Sequence, residues 1–427
     1  MSAVRPLRNS WIPWVTTVVL ACFSDAFAQA SYKITDLGAS GSANEACAMS
    51  LNDEGWTEIM SGNVEAGQNV DSIFATLLSG RALIDVDGFK ADLGGLGGKN
   101  TWMNWGEIND WGQIVGYSET AVLDPNGEDI CGFGTHLTCG PFLWQYFHMS
   151  ALPTLGGNNG EASAINNRGQ IVGMAENGNV DPTCPPNTTN NRIQLPVLWE
   201  NGQAHALPTV NGDPDGFAFW INDRGQVAGY SATCGEATVT AVSWKDGTAS
   251  ALPDLGTGAL AYSINNQSQI VGTIGSADGT TQYGALWQNG ELTNLSTLPG
   301  DLAAIASGIN DRGQVVGSTW DSNFNWSHGF IWQDGVMTDL NTLFPANSNL
   351  YATMANKINE RGQISGMAIV LSGPDAGNIH AFLATPVHQS IRRSIADVVH
   401  THPTSNLPAN LDTQRLPRFV LVHRSER

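Results

Sequence analysis

The chain has 427 residues, of which 19 are basic and 39 acidic, so its formal net charge is −20. A surface this acidic repels nucleic acid and anionic lipid, which argues against partners of either kind. The 48 glycines and 19 prolines indicate many turns, and no segment beyond the N-terminus is apolar enough to predict a membrane span.

The N-terminus has the pattern of an export signal. Arg5 and Arg8 precede the apolar run WIPWVTTVVLACF, and the sequence AQA stands directly before Ser31. We therefore expect residues 1–30 to be removed and the mature protein to lie in the periplasm or outside the cell. A retained membrane anchor and a lipidated Cys22 in the sequence VLAC are the two alternatives.

A ten-residue element recurs along the chain, and INDRGQVAGY from Ile221 is typical of it. Its first asparagine occurs at seven positions: Asn52, Asn109, Asn166, Asn222, Asn265, Asn310 and Asn359. Such regular recurrence indicates a repeated supersecondary unit. An Asn followed three residues later by Gly predicts a tight turn between two strands. A second element, LWQNGELTNL in the fifth unit, predicts another hairpin, so each unit should contain four antiparallel strands.

Seven four-stranded units predict an all-β, seven-bladed β-propeller over residues 31–386, with a β-solenoid or paired sandwiches as alternatives. The seventh unit supplies three strands. The sequence YKITDLG near the N-terminus matches the fourth-strand sequence VMTDLNT of the sixth unit. We therefore expect the N-terminal strand to complete the seventh blade. Residues 387–427 are basic and lie outside the repeat, and we expect a disordered tail there, or else an anchoring or partner-binding segment.

The cysteines predict disulfides, since an exported protein meets an oxidising compartment. Cys131 and Cys139 stand close together in CGFGTHLTC and predict one pair. Cys184 and Cys234 would form the second, leaving Cys47 unpaired. The cysteines do not show the close CxxC spacing of a structural zinc site.

The repeated pattern resembles the HAF repeat, which occurs in bacterial proteins described as probable extracellular repeats. HGFIWQDGVMTDL (His328–Leu340) and HAFL (His380–Leu383) carry the resemblance most clearly. It covers about residues 32–386 and implies export and a repeat fold, but no catalytic residues. The chain departs from the pattern at Trp56 and Ser268, and in the seventh unit, which lacks the tryptophan.

The predicted topology puts all tight turns on one face, the hairpin face, and the variable connections on the opposite insert face. The longest connections are 118–140, 175–195, 211–220, 318–328 and 344–352. Loops on a rigid scaffold commonly hold ligands, so we interpret the insert face as the binding face. The hairpin face repeats an arginine in four units, and we interpret it as structural. These arginines are Arg168, Arg224, Arg312 and Arg361.

Several aromatic residues are predicted at or near the insert face, where flat rings suit the C–H faces of sugars. They are Trp102, Trp105, Trp220, Trp320, Trp326 and Tyr351. Loops that pack on their own tryptophans are the alternative. Asn104 and Glu161 are predicted at the mouth of the axial channel, where they would bind a ligand or water. Asp321, Asn323 and Asn325 offer alternate oxygen ligands for calcium, without the Gly and Glu of an EF-hand. We expect no other cofactor.

The sequence contains no nucleophile elbow, zinc-protease helix, phosphate loop or dinucleotide fingerprint. We therefore predict an exported, monomeric, non-catalytic binding module for a glycan or an extracellular protein. A propeller enzyme that cleaves polysaccharide, as a lyase or a hydrolase, and a structural protein of the envelope or matrix are the alternatives.

Overall fold

The computed structural model describes residues 31–39, 43–62, 81–103, 108–185, 188–321 and 326–387. These residues form seven four-stranded antiparallel sheets, one per blade, and the predicted seven-bladed propeller is confirmed. The predicted segment 1–30 lies outside the described residues, as does the predicted tail 387–427 apart from Val387, which ends the last strand. Within the described residues, no helix is long and apolar enough to cross a membrane.

The strands follow one another in chain order within each blade. Blade 1 contains β2 (Glu45–Leu51), β3 (Thr57–Gly62), β4 (Arg81–Val86) and β5 (Phe89–Asp92). Blade 2 contains β6 (Gly97–Trp102), β7 (Ile114–Leu123), β8 (Leu137–Gln145) and β9 (His148–Ala151). Blade 3 contains β10 (Gly160–Ile165), β11 (Ile171–Val180), β12 (Arg192–Glu200) and β13 (Gln203–Ala206).

The second half of the ring repeats this order. Blade 4 contains β14 (Asp215–Ile221), β15 (Val227–Ala232), β16 (Val239–Lys245) and β17 (Thr248–Ala251). Blade 5 contains β18 (Ala259–Ile264), β19 (Ile270–Gly275), β20 (Gln282–Gln288) and β21 (Glu291–Asn294). Blade 6 contains β22 (Ala303–Ile309), β23 (Val315–Trp320), β24 (Trp326–Gln333) and β25 (Val336–Asp339). Two short 3-10 helices, Cys234–Glu236 and Leu340–Leu343, lie in connections.

Blade 7 closes the ring with strands from both ends of the described chain. It contains β26 (Leu350–Ile358), β27 (Ile364–Val370), β28 (Ile379–Val387) and, as its outer strand, β1 (Ser31–Gly38). β1 pairs antiparallel with β28 from Ser31 opposite Val387 to Gly38 opposite Ala381. His380 Nδ1 also lies 2.9 Å from a carboxylate oxygen of Asp36 on β1. The predicted role of the N-terminal strand is therefore confirmed.

Apolar side chains fill the space between blades and along the ring axis. The repeated tryptophans of blades 3, 4 and 5 are buried, and their indole N–H groups donate to proline carbonyls at 2.7 Å. One hydrophobic cluster contains Cys47, Trp102, Phe217, Ile305 and Met354, from the inner strands of five blades, so apolar packing links the blades around the axis. Burying this surface is the main favourable term in the stability of the ring.

The two predicted disulfides are both present. Cys131–Cys139 closes a loop within the long connection of blade 2, and Cys184–Cys234 joins the connections of blades 3 and 4. Cys47 is unpaired and buried among the residues at the axis. Two disulfides are compatible with an extracellular or periplasmic protein.

Candidate functional site: the hairpin face

The repeated asparagine explains why the ten-residue element is conserved within the chain. In each blade its side-chain Nδ2 donates to the main-chain carbonyl of the equivalent asparagine in the next blade, at 2.9–3.2 Å. The seventh bond, from Asn359 to Asn52, closes the circuit. The asparagines are buried. This asparagine ring therefore satisfies polar groups that would otherwise be buried without partners.

The repeated glutamine completes the same turn. In blade 4, Asn222 Oδ1 accepts the main-chain N–H groups of Arg224 and Gln226, and Asn222 Nδ2 donates to Gln226 Oε1 at 2.9 Å. A glutamine in the equivalent position of blade 3, Gln170, donates onward to Glu200 in the third strand. Through these hydrogen bonds the element links the first three strands of a blade to one another and to the next blade.

A second ring of hydrogen bonds lies immediately outside the first. The side-chain oxygen of the residue after each asparagine accepts the main-chain N–H of the equivalent residue in the preceding blade, at 2.7–3.0 Å. Its members are Asp53, Asp110, Asn167, Asp223, Asn266, Asp311 and Glu360. We call the five carboxylates the acidic rim. Burial, with the negative charges of neighbouring rim residues, raises the carboxyl pKa of Asp53 and of Glu360.

The two rings surround a cup of about 140 Å³ that opens at the centre of the hairpin face. Below the asparagines, a layer of one Leu and six Ile lines the cup, and Trp220 contributes to its wall. The ammonium group of Lys357 packs against the Trp220 ring, in a cation–π contact. The cup is therefore acidic at its mouth and apolar within.

A buried acid and a buried base lie close to the axis. Glu58 is 0 % exposed and neither carboxylate oxygen has a hydrogen-bond partner. Burial raises its pKa to about 8, while the positive charge of Lys357 opposes that shift. Burial likewise holds the pKa of Lys357 well below its usual value. Both groups are thus pushed toward their neutral forms.

Blade 2 carries three exposed aromatic residues on the hairpin face, which we call the aromatic patch: Trp111, Tyr146 and Phe147. Their side chains are 74 %, 91 % and 80 % exposed. Gln113 Nε2 donates to Gln145 Oε1 at 2.9 Å, which holds the two turns of this blade together. Trp111 Nε1 donates to the Asn167 carbonyl at 3.0 Å, and this bond fixes the indole beside the acidic rim.

The outer turn of the patch adopts a backbone that aromatic residues rarely take. Tyr146 has φ 53° and Phe147 has φ 60°. Five other blades place Asn or Asp followed by Gly at this turn, the residues that best tolerate positive φ. Holding an ordinary residue in this region costs about 1–2 kcal/mol. Backbone strain of this kind concentrates at functional sites.

The predicted aromatic residues of the insert face are placed differently from the prediction. Trp102 and Trp320 are only 6 % and 2 % exposed, so they pack in the core and offer no open ring face. Trp220 lies near the end of β14 in the wall of the cup, on the hairpin face. Its prediction on the insert face was wrong, because the strand carries it across the blade.

The remaining predicted residues are scattered. Tyr351 is partly buried, and its ring lies 6.2 Å from that of His328. Glu161 is partly buried on β10. Asn104, Trp105, Asn323 and Asn325 lie outside the described residues, as does the side chain of Trp326. Asp321 is described and partly buried, and the predicted calcium site and ligand contacts stay predictions.

The insert face carries buried carboxyl groups where the long connections of blades 2 to 4 meet. Asn159 Nδ2 donates both to Asp124 at 2.9 Å and to Glu176 at 3.1 Å. Burial raises the pKa of Asp215 to about 8, and a hydrogen bond with the Asp181 carboxyl group adds to this shift. Asp181 also lies with Cys184 and Cys234, but their sulfurs are joined in the disulfide, which removes the thiolates a metal would need.

No family model and no curated protein matches the chain, so the HAF repeat remains a resemblance. Several solved structures align with the chain over much of its length. The β-propeller domain of the Trilobed protease from Pyrococcus furiosus aligns with 7 % identity and a TM-score of 0.45, over 85 % of this chain and 100 % of that one. The Pyrococcus horikoshii acylaminoacyl peptidase aligns with 11 % identity and a TM-score of 0.43, over 78 % and 49 %.

TolB from Acinetobacter baumannii aligns with 13 % identity and a TM-score of 0.39, over 71 % of this chain and 63 % of its own. Identities of this size say nothing about a shared activity or ligand. The function has to be argued from the chain's own surface.

Proposed function

We propose that this protein is a non-catalytic binding module that holds a glycan on the aromatic patch of blade 2. The observation that carries the proposal is the departure of this blade from its own repeat. Aromatic residues replace the arginine or glutamine of the inner turn and the Asn-Gly type of the outer turn. All three are exposed, and Tyr146 and Phe147 have strained backbones, which favours a role in contact over a role in folding.

The chemistry of the patch suits carbohydrate. Exposed rings stack on the C–H faces of a sugar, and the polar groups around them pair with its hydroxyls. Gln113, Gln145 and the neighbouring acidic rim supply such groups within the same face. This moves the proposed site from the insert face, where Trp102 and Trp320 are buried, to the hairpin face.

The test is a glycan array probed with the purified exported protein, with calcium and with a chelator. Trp111→Gln carries the residue that blade 5 has at this position, Gln267, so the turn should keep its structure. Tyr146→Asn with Phe147→Gly restores the turn of the other blades. We expect either change to lower binding at least about tenfold, since each lost stacking contact is worth 1 kcal/mol or more.

Val336→Thr is the matched control, since Val336 is also an exposed apolar residue at an outer turn, in blade 6. It should leave binding unchanged. Binding that survives both patch variants would refute the site, and an array without signal would refute glycan as the ligand class.

The second candidate is a glycan-cleaving enzyme that uses Asp215 of the insert face as its general acid. Asp215 keeps its proton at neutral pH because its pKa is raised to about 8, as a general acid requires. In the same array experiment, the appearance of glycan cleavage products would reveal this activity. Products that disappear in Asp215→Asn, and persist in Trp111→Gln, would favour this candidate over the binding module.

A further inference from the structure

The described chain ends on the hairpin face. β28 is the third strand of its blade and runs toward this face, so its last residue, Val387, lies at the outer turn position of blade 7. Just before it, Pro386 packs against Gly362 in the inner turn of the same blade. The last described residue therefore lies on the same face as the acidic rim.

These forty residues have a composition unlike the rest of the chain. They contain six of the chain's fourteen arginines, no lysine and three acidic residues, so their net charge is +3. The other 387 residues carry the balance of the −20 total, which is −23. The hairpin face concentrates part of that charge in the five carboxylates of the acidic rim.

The face combines two features that suit arginine in particular. A guanidinium group pairs with carboxylates through two parallel hydrogen bonds, and its plane stacks on aromatic rings. Trp111 adjoins the rim residue Asp110, and Tyr146 and Phe147 lie on the same blade. Burial is the main cause of the raised carboxyl pKa values of Asp53 and Glu360, and the negative charges of neighbouring rim residues, which a cation would offset, add to it.

We propose that the hairpin face is the docking surface for the chain's own segment 388–427. Its arginines pair with the acidic rim and stack on the aromatic patch. Arg392 follows Val387 by five residues, which span about 17 Å when extended. The rim lies about two strand spacings, or about 10 Å, inward from the end of β28. Attachment in cis keeps the local concentration in the millimolar range, so individually weak pairs suffice.

The test measures tryptic cleavage after Arg392 and Arg393 in the full chain, by mass spectrometry, at about 20 mM and about 500 mM NaCl. We compare the wild type with Asp223→Asn/Asp311→Asn. Asparagine already occupies this ring position in blades 3 and 5, so the bonds from the main-chain N–H groups are retained while two charges are lost. Asp246→Asn/Asp334→Asn is the control, since it makes the same change at the outer turns of the same blades.

At low salt we expect cleavage about tenfold slower in the wild type and the control than in the rim variant. The difference should vanish at high salt, where the Debye length falls to a few ångströms. Trp111→Gln should also speed cleavage, which reports on stacking. Equal rates in the wild type and the rim variant at both salt concentrations would overturn the proposal.

Protection that grows with protein concentration would overturn it too, because the segment would then dock on a second copy. The cleavage test does not depend on glycan binding. A silent glycan array with clear protection would reject the proposed function and leave this inference standing. If both hold, bound glycan should accelerate cleavage, since the two occupants share the aromatic patch.

Discussion

The side-chain amide of Asn359 donates a 2.9 Å hydrogen bond to the main-chain carbonyl of Asn52, across 307 residues of sequence. This contact joins the last blade to the first at the axis, while at the perimeter β1, which precedes blade 1 in the chain, completes blade 7 by pairing with β28. The ring is therefore closed twice, by a polar circuit inside and a β-sheet outside. Closure of this kind protects the inner strands from edge-to-edge pairing with other chains.

Replacing one member of the asparagine ring should destabilise the fold substantially. Asn222→Ala removes four hydrogen bonds of a buried side chain, two donated and two accepted, and should cost about 2–4 kcal/mol. Asn52→Ala should cost less, because Trp56 replaces the glutamine partner in blade 1. Urea unfolding monitored by far-UV circular dichroism gives both values. Equal losses would show that the glutamine contributes nothing.

The fold could be predicted from the sequence because the residues that specify its turns and strands stand close together in the chain. Asn and Gly at fixed offsets specify turns, and the sequence match between YKITDLG and VMTDLNT identified the strand that closes the ring. The asparagine ring could not be read in the same way, since each bond joins residues 43 to 57 apart, or 307 at the closure, and needs the blades' relative positions.

The site was harder to predict than the fold. Trp220 is the last residue of the connection predicted over 211–220. In the structure β14 already begins at Asp215, so Trp220 lies near the far end of that strand, toward the opposite face. The patch residues were available in the sequence as departures from the repeat, where Trp111 replaces arginine and Tyr146-Phe147 replaces Asn-Gly. We interpreted the turn positions as structural, and only the structure showed that the aromatic side chains at these turns are exposed.

Glu58 should make stability fall as pH rises. Its folded pKa of about 8 exceeds the ordinary value of 4.5, so the folded state holds a proton that the unfolded state has lost between those limits. The free energy of unfolding then decreases by up to about 1.4 kcal/mol per pH unit in this window. Glu58→Gln should remove this contribution, so that the free energy of unfolding changes more positively with pH than in the wild type in urea titrations at pH 5, 6, 7 and 8.

Lys357→Met should change the pH dependence of the free energy of unfolding in the opposite direction to Glu58→Gln. The depressed pKa of Lys357 makes the unfolded state the better proton binder, so stability rises with pH until the ordinary lysine pKa is reached. The variant should lose that rise. If neither substitution changes the slope, the two groups form an ion pair with unshifted titration in the folded protein.

The His380–Asp36 pair should fasten the closing strand within a limited pH range. The hydrogen bond with Asp36 raises the pKa of His380, so its contribution is complete below the ordinary histidine pKa and fades as pH rises through the folded value. Burial opposes the shift of Asp36, but the bond with His380 lowers its pKa overall. That contribution is complete above the ordinary aspartate pKa and fades as pH falls through the lowered value.

The pair is thus strongest between about pH 4 and about pH 6.5. His380→Asn should destabilise the protein most in this window and least above about pH 8. Hydrogen exchange of the β1 amides reports the effect at the closing strand. A loss that is constant from pH 5 to pH 9 would assign His380 a packing role instead.

Restoring the turn of the other blades should separate stability from binding. Tyr146→Asn/Phe147→Gly relieves two strained backbone positions, worth about 1–2 kcal/mol each at most. It also removes the edge-to-face contact of Phe147 with Trp144, whose ring centroids are 5.6 Å apart, at a cost of about 1 kcal/mol.

We therefore expect the double variant to be as stable as the wild type or up to about 3 kcal/mol more stable, as urea unfolding measures, while glycan binding is lost. Tyr146→Asn alone should give a clearer gain, because the 91 % exposed ring loses little contact. A residue that is retained against a gain in stability is best explained by selection for contact. If both variants are less stable and still bind, the aromatic pair serves the fold, and the proposed site falls with it.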